Sequence, residues 1–245
     1  MKLKNNKFTA LTYAALLGSA VLSHAAIIIS EDFSYGNGGL NGQNGGTGFS
    51  NAWTSTTNVT AGVATGNEGS RRDFVGNEFA STGTIWLSFD FGFSGAPAEN
   101  GSYGGLTFYT NGAENFLIGN TWPTVGHDVW GMNGVGVSSE SIVGMKAAVA
   151  RIQLGTGATS IVDLWVGATG SPVDVSGAAL LTSTGRDLDG VNGIRINGHD
   201  FVNGTSQSID NIVIATTMGE VNAIPEPSAA LLGGLGMIGL LRRRR

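Results

Sequence analysis

Apolar and polar positions alternate through the middle of the chain. In "TIWLSFDFGF" (residues 84–93), Ile85, Leu87, Phe89, Phe91 and Phe93 share one face, while Trp86, Ser88, Asp90 and Gly92 share the other. A period of two with one greasy side predicts a half-buried strand. The stretch "GGLTFYTNGAENFLIG" (residues 104–119) sets Asn111-Gly112 between two apolar runs. Asn and Gly tolerate the positive φ of a tight turn, so a hairpin is predicted there. Further strands are predicted at 147–154, 161–166, 193–197 and 209–216, separated by segments rich in Gly, Asn, Ser and Thr. No long stretch with helical period lies between the two ends of the chain, and the class is all-β, a sandwich or barrel.

The glycine-rich stretch "SYGNGGLNGQNGGTGFSNAW" (residues 34–53) reads as a linker by composition alone. Phe33, Leu40, Phe49 and Trp53 are spaced through it, however, and such anchors predict an ordered wrap over a sandwich. Residues 26–223 are therefore expected to form one domain. Both ends of the chain differ from it. Residues 1–25 carry Lys2, Lys4 and Lys7, then an apolar run, then Ser23 and Ala25 around a small-x-small stop. That layout predicts a secretory signal peptide cleaved after Ala25. Residues 224–245, "IPEPSAALLGGLGMIGLLRRRR", hold Pro225, Glu226 and Pro227, an uncharged stretch from Ser228 to Leu241, and the cluster Arg242, Arg243, Arg244 and Arg245. As a helix, the uncharged stretch would reach about 21 Å, short against about 30 Å of bilayer hydrocarbon. The arginines would be held on the cytoplasmic side, leaving the Pro-Glu-Pro element extended and accessible outside.

Composition narrows the function. The 245 residues include 40 Gly and no Cys, which removes disulfides, thiolate catalysis and Cys-type zinc sites together. Without its two ends, the body carries 17 acidic against 6 basic residues, a net charge of −11. Such a surface repels phosphate backbones, so no nucleic-acid partner is expected.

The three-part C-terminus resembles the PEP-CTERM sorting signal of Gram-negative bacteria. That resemblance implies recognition by an exosortase, removal of the tail, a membrane-held intermediate, and delivery to the cell surface, outer envelope or extracellular polysaccharide matrix. The segments at 31–53, 147–155, 162–167 and 209–221 resemble the recurrent segments of concanavalin A-like, laminin-G-like jelly rolls. This second resemblance implies a jelly-roll β-sandwich in which the "IDNIVIATT" strand pairs near the N-terminal "EDF" strand.

Signals for chemistry are sparse. Glycoside hydrolases on the jelly-roll fold commonly place two carboxylates as Glu-x-Asp-x-x-Glu, and no Glu-x-Asp occurs here. Asp90, Asp163 and Asp210 could pair across strands, although solvated or turn positions are the usual fate of such acids. "GLGMIG" (residues 234–239) lies inside the apolar tail with no strand before it, so it reads as small-residue helix composition. His127 beside Asp128, and His199 beside Asp200, point to opposite faces if they lie on strands. Asp187, Asp189 and Asn192 in "RDLDGVNG" offer alternating oxygens that suit calcium, or else form a plain Asp/Asn turn. Trp53, Trp86, Trp122, Trp130 and Tyr109 could form a sugar-stacking platform; Trp122 and Trp130, in the loop-like "NTWPTVGHDVWGMNG", are the better candidates, with buried loop anchors the commoner alternative.

The expected function is that of a non-enzymatic exported surface or matrix protein, processed by an exosortase, with extracellular polysaccharide as candidate ligand. The alternatives are a glycan-active hydrolase with a non-standard carboxylate pair and a purely structural matrix component.

Overall fold

A computed structural model describes residues 26–66, 69–79, 82–96, 103–121, 128–133, 135–199 and 205–222. The predicted signal peptide and C-terminal tail lie outside the described residues. The strands are β1 (Ile27–Glu31), β2 (Gly38–Gly39), β3 (Asn58–Thr60), β4 (Val63–Gly66), β5 (Ser70–Asp73), β6 (Gly83–Phe93), β7 (Tyr103–Thr110) and β8 (Ala113–Asn120). They continue as β9 (Val129–Met132), β10 (Gly136–Ser141), β11 (Lys146–Leu154), β12 (Ser160–Ala168), β13 (Leu181–Arg186), β14 (Val191–His199) and β15 (Gln207–Ala215). One short helix, α1 (Met218–Val221), ends the described chain.

Two antiparallel sheets face each other. The larger runs β13-β12-β11-β6-β15-β4-β3-β2, with β1 added on β15, and the smaller runs β10-β9-β8-β7-β14-β5. The alternation in β6 has the expected outcome: Ile85, Leu87, Phe89, Phe91 and Phe93 are all buried. They meet Leu106, Phe108, Phe116, Ile118, Ile194 and Ile196 of the smaller sheet in one cluster. The predicted hairpin joins β7 to β8, with Asn111 at φ 50° and Gly112 at φ 88°, the left-handed geometry that suits the twist of the flanking strands. The closing pairing also occurs: Glu31 lies opposite Ile212 and Ser30 opposite Val213.

The glycine-rich wrap is ordered by its anchors. Phe33, Leu40 and Trp53 are buried, and the Phe49 ring packs at a tilt against Trp53 and Phe74. Its glycines allow backbone to lie on backbone. A Cβ at Gly46 would fall 2.3 Å from the Ser30 carbonyl oxygen, and one at Gly48 would fall 2.2 Å from that of Ile28. Ser30 and Thr47 exchange main-chain hydrogen bonds of 3.1 and 2.8 Å at this crossing.

A buried ion pair ties the wrap to both sheets. Arg72 Nη1 on β5 donates to Glu31 Oε2 on β1 at 2.7 Å. Trp53 Nε1 and Tyr35 Oη also donate to Glu31 Oε2, and the Phe33 amide donates to Oε1. Arg72 spends its other donors on Asn51 O, Gly45 O and Asn44 Oδ1, each at 2.7 Å. Its guanidinium lies 4.2 Å from the Phe49 ring centroid. Burial and the hydrogen bond to Glu31 push the Tyr35 hydroxyl up to about 12.

A second, smaller core covers the outer face of the larger sheet. Val149, Trp165, Val173, Ala215 and Val221 form it, with Trp86 stacked on Trp165 at 6.2 Å. The arm around Val173 and the C-terminal strap ending at Asn222 both contribute.

Candidate functional site

The outward face of the smaller sheet gathers polar side chains that strand alternation turns away from the core. Arg195 on β14 lies opposite Thr107 on β7, which in turn lies opposite Leu117 on β8. On one side of this row Tyr109 faces Glu114, and on the other Asn197 faces Gly105. Glu114 Oε1 is the hub. Tyr109 Oη donates to it at 2.9 Å, Arg195 Nη1 at 2.9 Å and Asn197 Nδ2 at 2.8 Å. Arg195 Nη1 also donates to Tyr109 Oη at 2.8 Å. The Arg71 guanidinium, held by Asp73, covers the Tyr109 ring at 5.0 Å. Burial raises the Tyr109 hydroxyl above its ordinary value, with the Arg195 hydrogen bond opposing.

Within this face, Thr107 Oγ1 and Asn197 Oδ1 are buried and have no hydrogen-bond partner among the described residues. A buried hydroxyl and a buried amide oxygen left unpaired are costly, and their chemistry complements hydroxyl-bearing ligands. Arg195 and Glu114 keep 32% and 41% of their side-chain surface exposed, so the cluster is reachable from solvent.

The outer face of the larger sheet carries a different arrangement. Asp90 on β6 and Asp210 on β15 are direct cross-strand partners. A bulge follows Asp210, with Asn211 at φ 52° donating from Nδ2 to Asp90 Oδ2 at 2.9 Å. Burial raises both carboxyls, Asp210 to about 6 with Asp90, Asp32 and Glu31 adding repulsion. Asp90 and Asn211 line a cavity of about 380 Å³ whose other walls include Ala147, Val149, Val173 and Val213. Its one aromatic lining residue among those described, Phe89, is 1% exposed and points into the core, so it offers no free ring face to a sugar. Asp163, the third isolated acid, is instead paired with Arg151 across the β11–β12 ladder at 2.7 Å and accepts from Thr182 Oγ1.

The structure corrects the reading of Trp130 as a loop residue open to glycan. It lies on β9 with 0% exposure and packs on Phe89 and Phe91 at 6.1 and 5.8 Å. A ring enclosed between two sheets has no face to offer a sugar. Trp122 and His127 lie outside the described residues, as do Pro225, Glu226, Pro227 and Arg242, Arg243, Arg244 and Arg245. The oxygens considered for calcium each meet a main-chain amide: Asp187 Oδ1 accepts from Asp189, Asp189 Oδ2 from Gly157 and Asn192 Oδ1 from Asn111. These contacts form hydrogen-bonded turns that tie neighbouring loops together. Among the described residues, no group of three or more His, Cys, Asp or Glu converges as a metal site. The Tyr109–Glu114–Arg195–Asn197 cluster escaped sequence reasoning because Glu114 and Arg195 are 81 positions apart.

The C-terminal segment that leaves the strap after Asn222 matches a known family. Residues 223–245 are a PEP-CTERM protein-sorting motif. The sorting motif implies export and processing by an exosortase at the cell surface. No curated protein matches the chain. Solved structures similar in fold include an alginate lyase Aly36B mutant in complex with alginate tetrasaccharide, at 15% identity and TM-score 0.43, covering 77% of this chain and 97% of that one. Endo-β-1,4-glucuronan lyase from Trichoderma reesei shares 15% identity at TM-score 0.44, covering 80% and 98%. Lectin I-B4 from Griffonia simplicifolia shares 14% identity at TM-score 0.39, covering 66% and 91%. Each likeness is one of fold alone.

Proposed function

We propose that the protein is a non-enzymatic, exported β-sandwich of the concanavalin A-like type that binds polysaccharide on the outward face of its smaller sheet. The sorting motif supports export to the cell surface, and on this reading the chain passes through an inner-membrane intermediate and, after exosortase processing, resides at the surface or in the extracellular matrix. The observation that carries the binding reading is the pair of unpartnered buried oxygens, Thr107 Oγ1 and Asn197 Oδ1, beside the Tyr109–Glu114–Arg195 hub. Glycan hydroxyls would engage Arg195 and Glu114 at the exposed rim, and a ligand hydroxyl or bridging water that reaches inward would supply the donor each buried oxygen lacks.

Affinity electrophoresis through the matrix polysaccharide of the native host tests this reading. Wild-type protein should be retarded, and N197A or R195A should migrate as in a gel without polysaccharide. Equal retardation of all three forms would refute the site. The second reading, a hydrolase, is favoured by one observation, the facing carboxyls of Asp90 and Asp210. It requires depolymerisation of the same polysaccharide by wild type and its loss in D90N.

A further inference from the structure

Asn222, the last residue before the sorting motif, is clamped to the folded body. Its Oδ1 accepts the Val173 amide at 2.8 Å, and its Nδ2 donates to the Val173 carbonyl at 2.7 Å. Only Ala223 and Ile224 separate it from Pro225. With Asn222 held, three residue steps bring Pro225 at most about 11 Å from its anchor. A domain of about 200 residues is roughly 40 Å across, judged from its expected radius of gyration. An enzyme seated in a membrane would have to engage the Pro-Glu-Pro element almost against that bulk.

We propose that residues 216–222 form a latch, and that the latch must lift off the larger sheet before an exosortase can engage and cut the tail. This inference rests on the sorting reading above. Freed as far as Ala215, the strap adds seven residues, so Pro225 could lie about 33–36 Å from the sheet. That span is comparable to the width of the domain, about three times the reach left while the latch is closed.

The strap is built to come away. α1 is four residues long, Thr217 provides no side-chain cap, and Val221 is its one buried residue. Met218 is 37% exposed. The cavity of about 380 Å³ lies beneath the strap, with Glu220, Val221 and Asn222 among its walls, so contacts that would hold the segment down are missing there. Apart from Val221, the amide clamp of Asn222 and the two bonds between Thr216 and Ala26, each 3.1 Å, fasten it. Elements with so few buried contacts open far more often than the sandwich they rest on.

Two measurements on the full chain test the latch. In the native host, pulse-chase labelling follows tail removal in wild type, in N222A, and in a variant with Gly-Gly-Ser-Gly-Gly-Ser inserted after Asn222. Both variants should be processed about fivefold faster or more, as expected from loss of two hydrogen bonds or of the steric block. Processing of both at the wild-type rate would overturn the proposal. In the purified full chain, the amides of 218–222 should exchange with deuterium about 100-fold faster than those of β15. Equal protection would overturn the proposal as well. An uncut wild-type tail would instead count against the sorting reading, and the exchange measurement would still judge the latch.

Discussion

Removing the Glu31 carboxylate is expected to be the most damaging single change in the wrap. The side chains of Glu31 and Arg72 are 0% and 2% exposed, so neither ion reaches bulk water. In E31A the guanidinium would keep its bonds to Asn51, Gly45 and Asn44, but its charge would be buried without a counter-ion. Trp53 Nε1 and Tyr35 Oη would lose their acceptor at the same time. Breaking a buried pair from one side costs about 3–5 kcal/mol. For a domain of this size, that corresponds to a fall in Tm of about 6–20 °C, at roughly 2–4 °C per kcal/mol. It would consume a large part of a total stability of about 5–15 kcal/mol. Urea unfolding followed by tryptophan fluorescence measures it, with the mature body as sample. Replacing both partners, E31L with R72M, should recover more than half of the loss, because no unpaired charge remains. High salt should leave the E31A deficit unchanged, since a dry pair is poorly screened. A deficit below about 1 kcal/mol, the scale of an exposed pair, would refute the account.

Other outcomes follow from features already described. Asp210 rises from 3.8 to about 6 in the folded state, so the fold binds that proton more tightly than the unfolded chain does. Stability tied to it is therefore full below pH 3.8 and is lost as the pH rises through about 6. Thermal melts across this range should show D210N more stable than wild type above pH 6 and the difference vanishing at low pH, and parallel curves would contradict this. G48A should lose about 2–4 kcal/mol in urea unfolding, from positive φ and from crowding against the Ile28 carbonyl. Replacing Pro225, Glu226 and Pro227 with alanine should leave the full-length chain in the inner membrane, read by fractionation and by mass spectrometry of an intact Arg245.

Local signals in the chain carried much of the fold. The period of two along β6, the Asn111-Gly112 turn and the aromatic spacing of the wrap each depend on residues close in sequence, so each could be read without coordinates. The burial of Trp130 is not legible because its strand is four residues long and interrupted by Gly131, too brief for alternation to register. The polar cluster on the smaller sheet joins residues from three strands, and the ion pair joins positions 41 apart. No window of sequence contains either of them. The facing of Asp90 and Asp210 follows from the register between β6 and β15, 120 residues apart, which the pattern of apolar positions does not fix by itself. The strap behaves similarly: locally the Asn222 main-chain amide closes the turn onto Met218 O, and the clamping role of the residue becomes visible only beside Val173.

Ala26 and Thr216 are joined at 3.1 Å in both directions, amide to hydroxyl and amide to carbonyl. The first described residue and the start of the C-terminal strap thus share one corner of the sandwich. On the proposed export route, a tether at either end would therefore turn the same corner toward the bilayer.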